Sequence, residues 1–324
     1  MIEPAFKRYI SMQTRALHPR FGVEVQNVDL GEVTRTHLFP QLRRLFEEHS
    51  LLLFRNQNMN ETLHNDFALL FGPLEDRVAD AARTAPRDRP PVPRLSNRNV
   101  QSGELASDDS MTVLNLVGNQ QWHTDSTFLH TPALANIITA YVVPSSGGET
   151  ELVSTRAAYE DLPEALKQQV DDSTFFHSLL PSRLRVDPEL LKLPEVSRYE
   201  SQAWRAVWPN PVTGTNGLYL AGHIYGVRDM PQEHADELVS GLIEFATRPE
   251  YVYSHQWQPG DVLAWDERAT MHRGRPWPYA EERTLYSCCV SVQESDGLSG
   301  VRPPGGGVTA EEAFHPGKWT HRAN

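Results

Sequence analysis

Cysteine is scarce in this chain: 324 residues hold two, Cys288 and Cys289, side by side. Neighbours on an extended strand point to opposite faces, so the pair cannot easily bridge itself and no disulfide framework holds the fold. Metal binding by thiolate is equally unsupported. There is no run of 18 apolar residues, the length a membrane-spanning helix needs. The opening Met1-Ile2-Glu3-Pro4-Ala5-Phe6-Lys7-Arg8 has no apolar h-region and no small-residue cleavage site, which points to a cytoplasmic protein. Basic residues are outnumbered, 30 Lys and Arg against 42 Asp and Glu, and the net charge of −12 argues against nucleic acid as a partner. Also missing are a Gly-rich dinucleotide fingerprint, a P-loop, a nucleophile elbow and a His-Glu-x-x-His, so several common enzyme classes have no motif to stand on.

What is present is an ordinary globular composition, 39% hydrophobic and 22% charged, which suffices for a large core. No linker divides the chain into halves with a core each, and the reading is one domain over residues 1–294 with a flexible tail over 295–324. Thr309 and Glu312 have the spacing to cap one short helix in that tail. Residues 75–115, with Pro90-Pro91-Val92-Pro93, are too long for an ordinary connection and read as either a lid or a disordered insertion.

Periodicity supplies the elements. Phe21, Val23, Val25 and Val28 alternate with polar residues as in a strand. Leu38, Leu42, Leu45 and Phe46 form a helical stripe with Thr36 as a plausible N-cap. Leu51 to Phe54 is a buried strand. A second helix starts at Asn60, and Gly72-Pro73 stops it, with His64 and Asp66 expected in solvent. Ala133 to Val143 is core strand, followed by a turn at Pro144 to Thr150. Residues 156–170 are helical around Pro163, 173–180 and 217–220 extended, and 187–205 poorly patterned. Gln232 to Ala246 is the strongest helix. Strands follow over Tyr251 to Trp265 and Arg283 to Val292, with His272 just beyond the former.

The chemistry centres on Trp122-His123-Thr124-Asp125. In extended chain, residues two apart share a face, so the His123 imidazole and the Asp125 carboxylate can meet one metal ion. With 13 His among 42 acidic residues, chance gives roughly two His-x-acid pairs, so the bare pattern proves little. The chain holds three. His64/Asp66 and His234/Asp236 fall in helical segments, where residues two apart diverge by about 200°. His123/Asp125 alone has workable geometry, although a solvated His and Asp on a polar strand face fit the pattern as well. Two histidines and one carboxylate with open positions suit non-haem Fe(II). The third ligand must come from elsewhere in the chain.

At His123-Thr124-Asp125, at Ser146-Gly147-Gly148-Glu149-Thr150, and from Trp265-Asp266 through His272 to Arg283, the chain resembles the taurine/2,4-dichlorophenoxyacetate dioxygenase family of Fe(II)- and 2-oxoglutarate-dependent oxygenases. The match runs from about Phe21 to Val292, and the ordered set is far more specific than any one piece. The resemblance implies a mainly β fold with flanking helices, a double-stranded β-helix of the cupin-like jelly-roll kind. It implies His123, Asp125 and His272 as catalytic metal ligands. It also implies Thr150 and Arg283 as the grip on the far carboxylate of 2-oxoglutarate, a task that suits a bidentate guanidinium. Fe(II), 2-oxoglutarate and O2 would then hydroxylate a small organic substrate, an aryloxy or other carboxylate, with release of succinate and CO2.

The family's sulfonate- and carboxylate-binding members carry a second Arg four residues after the first, and here that position is Ser287. Asn119 matches a substrate-contact position of the taurine enzyme. Arg98, Arg273 and Arg275 are candidate substitutes for the missing anion contact, and Trp122, Phe128 and Tyr219 are candidate aromatic lining. A small molecule is the expected partner, with no nucleic acid or membrane and with homo-oligomerisation left open. Two other classes remain at this level. A zinc hydrolase would use the same triad with a bound water, and an inert jelly-roll binding protein would use none of it.

Overall fold

The computed structural model describes residues 11–82 and 84–318, so the expectations for the first eight residues and for 319–324 lie outside the described part. Its central element is the strand Ala133–Val142, rich in Ala, Leu and Ile and buried along most of its length. This strand pairs antiparallel with Val262–Asp266 on one side and Thr284–Ser291 on the other. A seven-stranded sheet results, in the order Gln13–Ala16, Val23–Gln26, Leu51–Phe54, Val262–Asp266, Ala133–Val142, Thr284–Ser291, Arg94–Ser96. A smaller sheet places Thr150–Ser154 between Val252–His255 and Thr270–Gly274, again antiparallel. His123 extends its free edge, exchanging backbone hydrogen bonds of 2.9 and 2.8 Å with His272.

The two-residue period of the strands sorts side chains into layers. Leu51, Leu53, Ile138, Leu263 and Leu285 of the large sheet pack with Leu152 of the small one, so the two sheets lie face to face. Leu52, Phe54, Ile137 and Ala264 point the other way, onto the helices Phe39–His49 and Glu61–Phe71. There Phe39, Phe46 and Phe67 meet Phe71 edge to face at 5.1, 5.1 and 5.5 Å. On the far side Val153 and Met271 are covered by Thr155–Asp161 and by Gln232–Ala246, whose Ala235, Leu238, Leu242 and Ala246 are buried. Each such large aliphatic side chain contributes about 1.5–3 kcal/mol on burial. The result is the jelly roll with outer helices that the resemblance implied.

Several local expectations are corrected. Thr36 does not cap the first helix, because it sits inside a tight turn closed by reciprocal Thr34–His37 backbone bonds; the helix begins at Phe39 with Pro40 in its first turn. Asn60 does cap the second, its side chain accepting from the Leu63 amide. His64 is not in solvent. It is buried, and its Nε2 bonds the Ile137 carbonyl at 2.8 Å, tying that helix to the central strand. Asp66 is exposed as expected, paired with Arg89. Residues 75–115 carry elements of their own, a helix over Arg77–Ala82, the edge strand Arg94–Ser96 and a helix over Met111–Gly118 capped by Ser110. Residues 187–205 contain short helical turns and the strand Gln202–Arg205.

The segment expected as a flexible arm from Ser295 is packed over its first residues, because Leu298 and Val301 reach into the core. Further along, Thr309 and Glu312 make the expected reciprocal bonds, but these close a turn over 310–312 and not the expected short helix; Glu312 also pairs with Arg228 at 2.9 Å. Among the described residues no helix is long and apolar enough to cross a membrane.

Candidate metal centre

The three expected ligands come from separate elements and converge between the sheets. His272 lies beyond the strand Val262–Asp266 as expected, on a further strand Thr270–Gly274, while His123 itself forms an isolated bridge to it and Asp125 falls in the turn after. Asp125 is therefore not on a full strand, but the short extended link suffices to bring it round. His123 Nε2 is 3.8 Å from Asp125 Oδ1, and His272 Nε2 is 3.6 Å from Asp125 Oδ2. All three donor atoms lie within 4.8 Å of one another. Two bonds of about 2.1 Å to one ion can span the two measured separations, and the donor set is the facial arrangement of a non-haem Fe(II) site.

The electrostatics prepare the site for a cation. His123 Nδ1 donates to the Gln121 carbonyl at 2.7 Å, which fixes the tautomer and leaves Nε2 with its lone pair toward Asp125. Burial lowers the pKa of His123 and takes that of His272 down to about 3, so both imidazoles are neutral at physiological pH, as metal ligation requires. For Asp125 burial works upward, yet the balance is downward: the charge that His272 and His123 carry when protonated in acid, the Arg77 guanidinium and the Asn136 hydrogen bond outweigh it, so the carboxylate is ionised at neutral pH. Asn136 donates to Asp125 Oδ2 at 2.6 Å, and Glu267 Oε2 accepts the Asp125 amide at 2.9 Å. Glu267 is fully buried and takes a second bond from Trp265 Nε1 at 2.6 Å. Among the described residues His272 Nδ1 has no hydrogen-bond partner, and it lies 4.0 Å from Glu267 Oε1. Neither Asn136 nor Glu267 could be singled out from the sequence, since their roles depend on strands far apart in the chain.

A cavity of about 400 Å³ opens onto these ligands. Thr150 and Arg283 both line it. Arg283 is buried, and its Nε donates to the Gly148 carbonyl at 3.0 Å. A Cβ on Gly148, whose φ is +72°, would come within 3.1 Å of the Arg283 side chain, so the Gly-Gly turn passes where only glycine fits. Burial pulls the Arg283 pKa down to about 10, opposed by Glu149 and Tyr279, and the group stays charged at neutral pH. Among the described residues no carboxylate pairs with it. The Thr150 hydroxyl accepts from Trp257 Nε1 at 3.0 Å, which leaves its own proton to be donated elsewhere.

The substrate-side expectations divide. Asn119, Ser287, Arg275 and Phe128 line the cavity. Arg98 does not: it is held by Glu282 and the Gly103 carbonyl on another part of the surface. Arg273 is bound to Glu151 at 2.7 Å and stacks 4.5 Å from the Trp122 ring, so neither lines the cavity. Tyr219 is wholly buried against Trp208 and His177 and belongs to the core. Arg77, Arg183 and His223 line the cavity without any signal that singled them out.

Comparison with known proteins gives the family. Residues 13–289 match the model of the taurine catabolism dioxygenase TauD, TfdA family. The alpha-ketoglutarate-dependent 2,4-dichlorophenoxyacetate dioxygenase of Cupriavidus pinatubonensis is 31% identical over 277 residues, covering 85% of this chain and 96% of that one. The (S)-phenoxypropionate/alpha-ketoglutarate-dioxygenase of Sphingobium herbicidovorans is 30% identical over 276 residues, covering 83% and 91%. The crystal structure of AAD-2 with Mn(II) and N-oxalylglycine superposes with a TM-score of 0.80 at 29% identity, covering 89% and 99%. The chain belongs to the TauD, TfdA family and is an Fe(II)- and 2-oxoglutarate-dependent dioxygenase.

Proposed function

We propose that this dioxygenase hydroxylates an aryloxy or other small organic carboxylate. The observation that carries the reading is the meeting, in one cavity, of the His123, Asp125, His272 cluster and the unpaired buried guanidinium of Arg283. His123, Asp125 and His272 would hold Fe(II), and the two neutral imidazoles with one carboxylate leave it net positive toward anionic co-substrate. Arg283 would receive the far carboxylate of 2-oxoglutarate, with the Thr150 proton adding a hydrogen bond. When bound, the iron and co-substrate supply the oxidising power, one oxygen atom of O2 entering a substrate C–H bond and the other ending in succinate as CO2 leaves. The apolar walls, including Phe128, Leu95 and Leu285, would exclude water and accept an aromatic ring.

The same reading treats residues 1–294 as one catalytic domain and 75–115 as its cover, supported by Arg77, Arg87, Pro91 and Asn115 at the cavity wall. It places the enzyme in the cytoplasm, acting on a free small molecule rather than on nucleic acid or membrane, with self-association left open. The aryloxy class is supported by the two relatives whose activities are named for phenoxy acids. The test is a panel of phenoxy acids, taurine, amino acids and neutral aromatics, scored by succinate formed above the background without substrate. Phenoxy acids are expected to raise it and taurine is not, since the apolar walls take an aromatic ring that taurine lacks. Efficient taurine turnover would overturn this reading.

A further inference from the structure

Among the described residues Arg183 is a buried cation with no carboxylate in hydrogen-bond contact, Asp125 acting on it only through space. It stands on the short helix Leu179–Leu184, is 7% exposed, and lines the cavity shared by the three ligands. Its Nε donates to Asn115 Oδ1 at 3.0 Å, one terminal nitrogen to Asn119 Oδ1 at 2.9 Å and the other to Ser182 Oγ at 3.3 Å. All three acceptors are neutral, and among the described residues two of the five N–H donors of the guanidinium have no acceptor. Burial takes its pKa down only to about 10, so it is still charged at neutral pH.

The surrounding backbone is shaped to hold this side chain. At Gly118, which ends the helix Met111–Gly118, a Cβ would lie 2.7 Å from a terminal nitrogen of Arg183. The guanidinium therefore rests on bare backbone, clamped by Asn115 and Asn119 from the same helix end. Asn119 is four residues before His123, which carries the clamp to the edge of the metal site.

The other cations at the cavity have partners. Arg77 is bound to Glu75 and Arg87 to Asp76, while Arg275 has Glu151 at 3.7 Å. Arg283 is the exception, and the proposed function gives its charge to 2-oxoglutarate. Leaving a second guanidinium buried and unneutralised is costly unless an anion enters the cavity with the substrate. The last strand cannot supply that contact, since Ser287 is neutral and its hydroxyl is engaged with Asn136 at 2.8 Å.

We infer that Arg183, oriented by Asn115 and Asn119, is the anion clamp that binds the carboxylate of the organic acid to be oxidised. This inference rests on the substrate class proposed above, which it deepens by naming the group that recognises it. Two cations without carboxylate partners then match two anionic guests, one for the co-substrate and one for the substrate.

Calorimetry on anaerobic enzyme loaded with Fe(II) and 2-oxoglutarate, titrated with phenoxyacetate and with phenoxyacetamide, tests it. The wild-type protein should bind the acid more tightly than the amide. Arg183→Gln should weaken the acid by at least about 10-fold and up to the order of 10²-fold, the range of a charge-assisted contact, with the amide moving far less. Arg183→Lys, which keeps the charge, should recover part of the preference, and the iron-to-2-oxoglutarate absorption band verifies that each variant retains its site. The inference is overturned if wild-type enzyme does not discriminate acid from amide. It is also overturned if Arg183→Gln keeps the preference, or if acid and amide weaken together, as a merely structural role would predict. Admitting oxygen to the same wild-type samples separates the two readings. Absence of succinate with every phenoxy acid would sink the substrate class, while the acid-to-amide ratio still judges Arg183.

Discussion

Ser287 Oγ donates to Asn136 Oδ1 at 2.8 Å, and the amide of Asn136 in turn donates to Asp125 Oδ2 at 2.6 Å. The serine hydroxyl thus fixes which way the amide faces, because Asp125 as a carboxylate can only accept. A position from which the family's anion-binding members extend a second Arg here braces a proposed metal ligand instead. Asn136→Ala should lower Fe(II) affinity by about 10- to 100-fold, the usual cost of losing a partner of a metal ligand, and Ser287→Ala should lower it less. Fe(II) titration in the presence of 2-oxoglutarate measures both. Unchanged affinity in Asn136→Ala would remove the residue from the site's support.

The ligand assignment has a spectroscopic consequence. Anaerobic Fe(II) and 2-oxoglutarate should give a visible metal-to-ligand charge-transfer band, and His123→Ala or His272→Ala should abolish both band and turnover. Full turnover with Zn²⁺ and without oxygen would instead reveal hydrolytic chemistry.

Arg283 lines the cavity and pairs with no carboxylate among the described residues, so its loss should be felt by the co-substrate first. Arg283→Gln should raise the 2-oxoglutarate KM by about 10²-fold, since a charge-assisted hydrogen bond contributes about 1.5–3 kcal/mol. Steady-state kinetics with each substrate varied separately would show the organic substrate's KM moving less. An unaltered 2-oxoglutarate KM would refute the assignment.

His64 makes stability depend on pH. Burial takes its pKa down to about 4, partly opposed by the bond to the Ile137 carbonyl, against an ordinary value of 6.5. The folded state therefore refuses a proton that the unfolded chain accepts. The stabilisation is full above pH 6.5 and declines as pH falls toward 4, amounting to about 3 kcal/mol across that window. Urea unfolding at pH 7 and pH 4.5 should show a smaller acid loss in His64→Gln than in wild type. Equal slopes would mean that His64 does not carry the dependence.

Period and punctuation in the sequence were enough for the central strand at Ala133, the helix Gln232–Ala246 and the stop at Gly72-Pro73, because these rest on local patterns of burial and turn chemistry. The ordered set His123, Asp125, Thr150, His272 and Arg283 was legible as well, since its spacing is carried by the chain itself. What the sequence could not tell is which charges neutralise one another. Arg273 and Arg98 look as available as Arg183 until the fold seats Glu151 and Glu282 against them and leaves Arg183 among amides. His64 looks solvated on a helical wheel until a strand 73 residues away offers it a carbonyl. Pairing across distant strands is decided by tertiary packing, and in a buried site that pairing determines whether a charge is structural or free to bind.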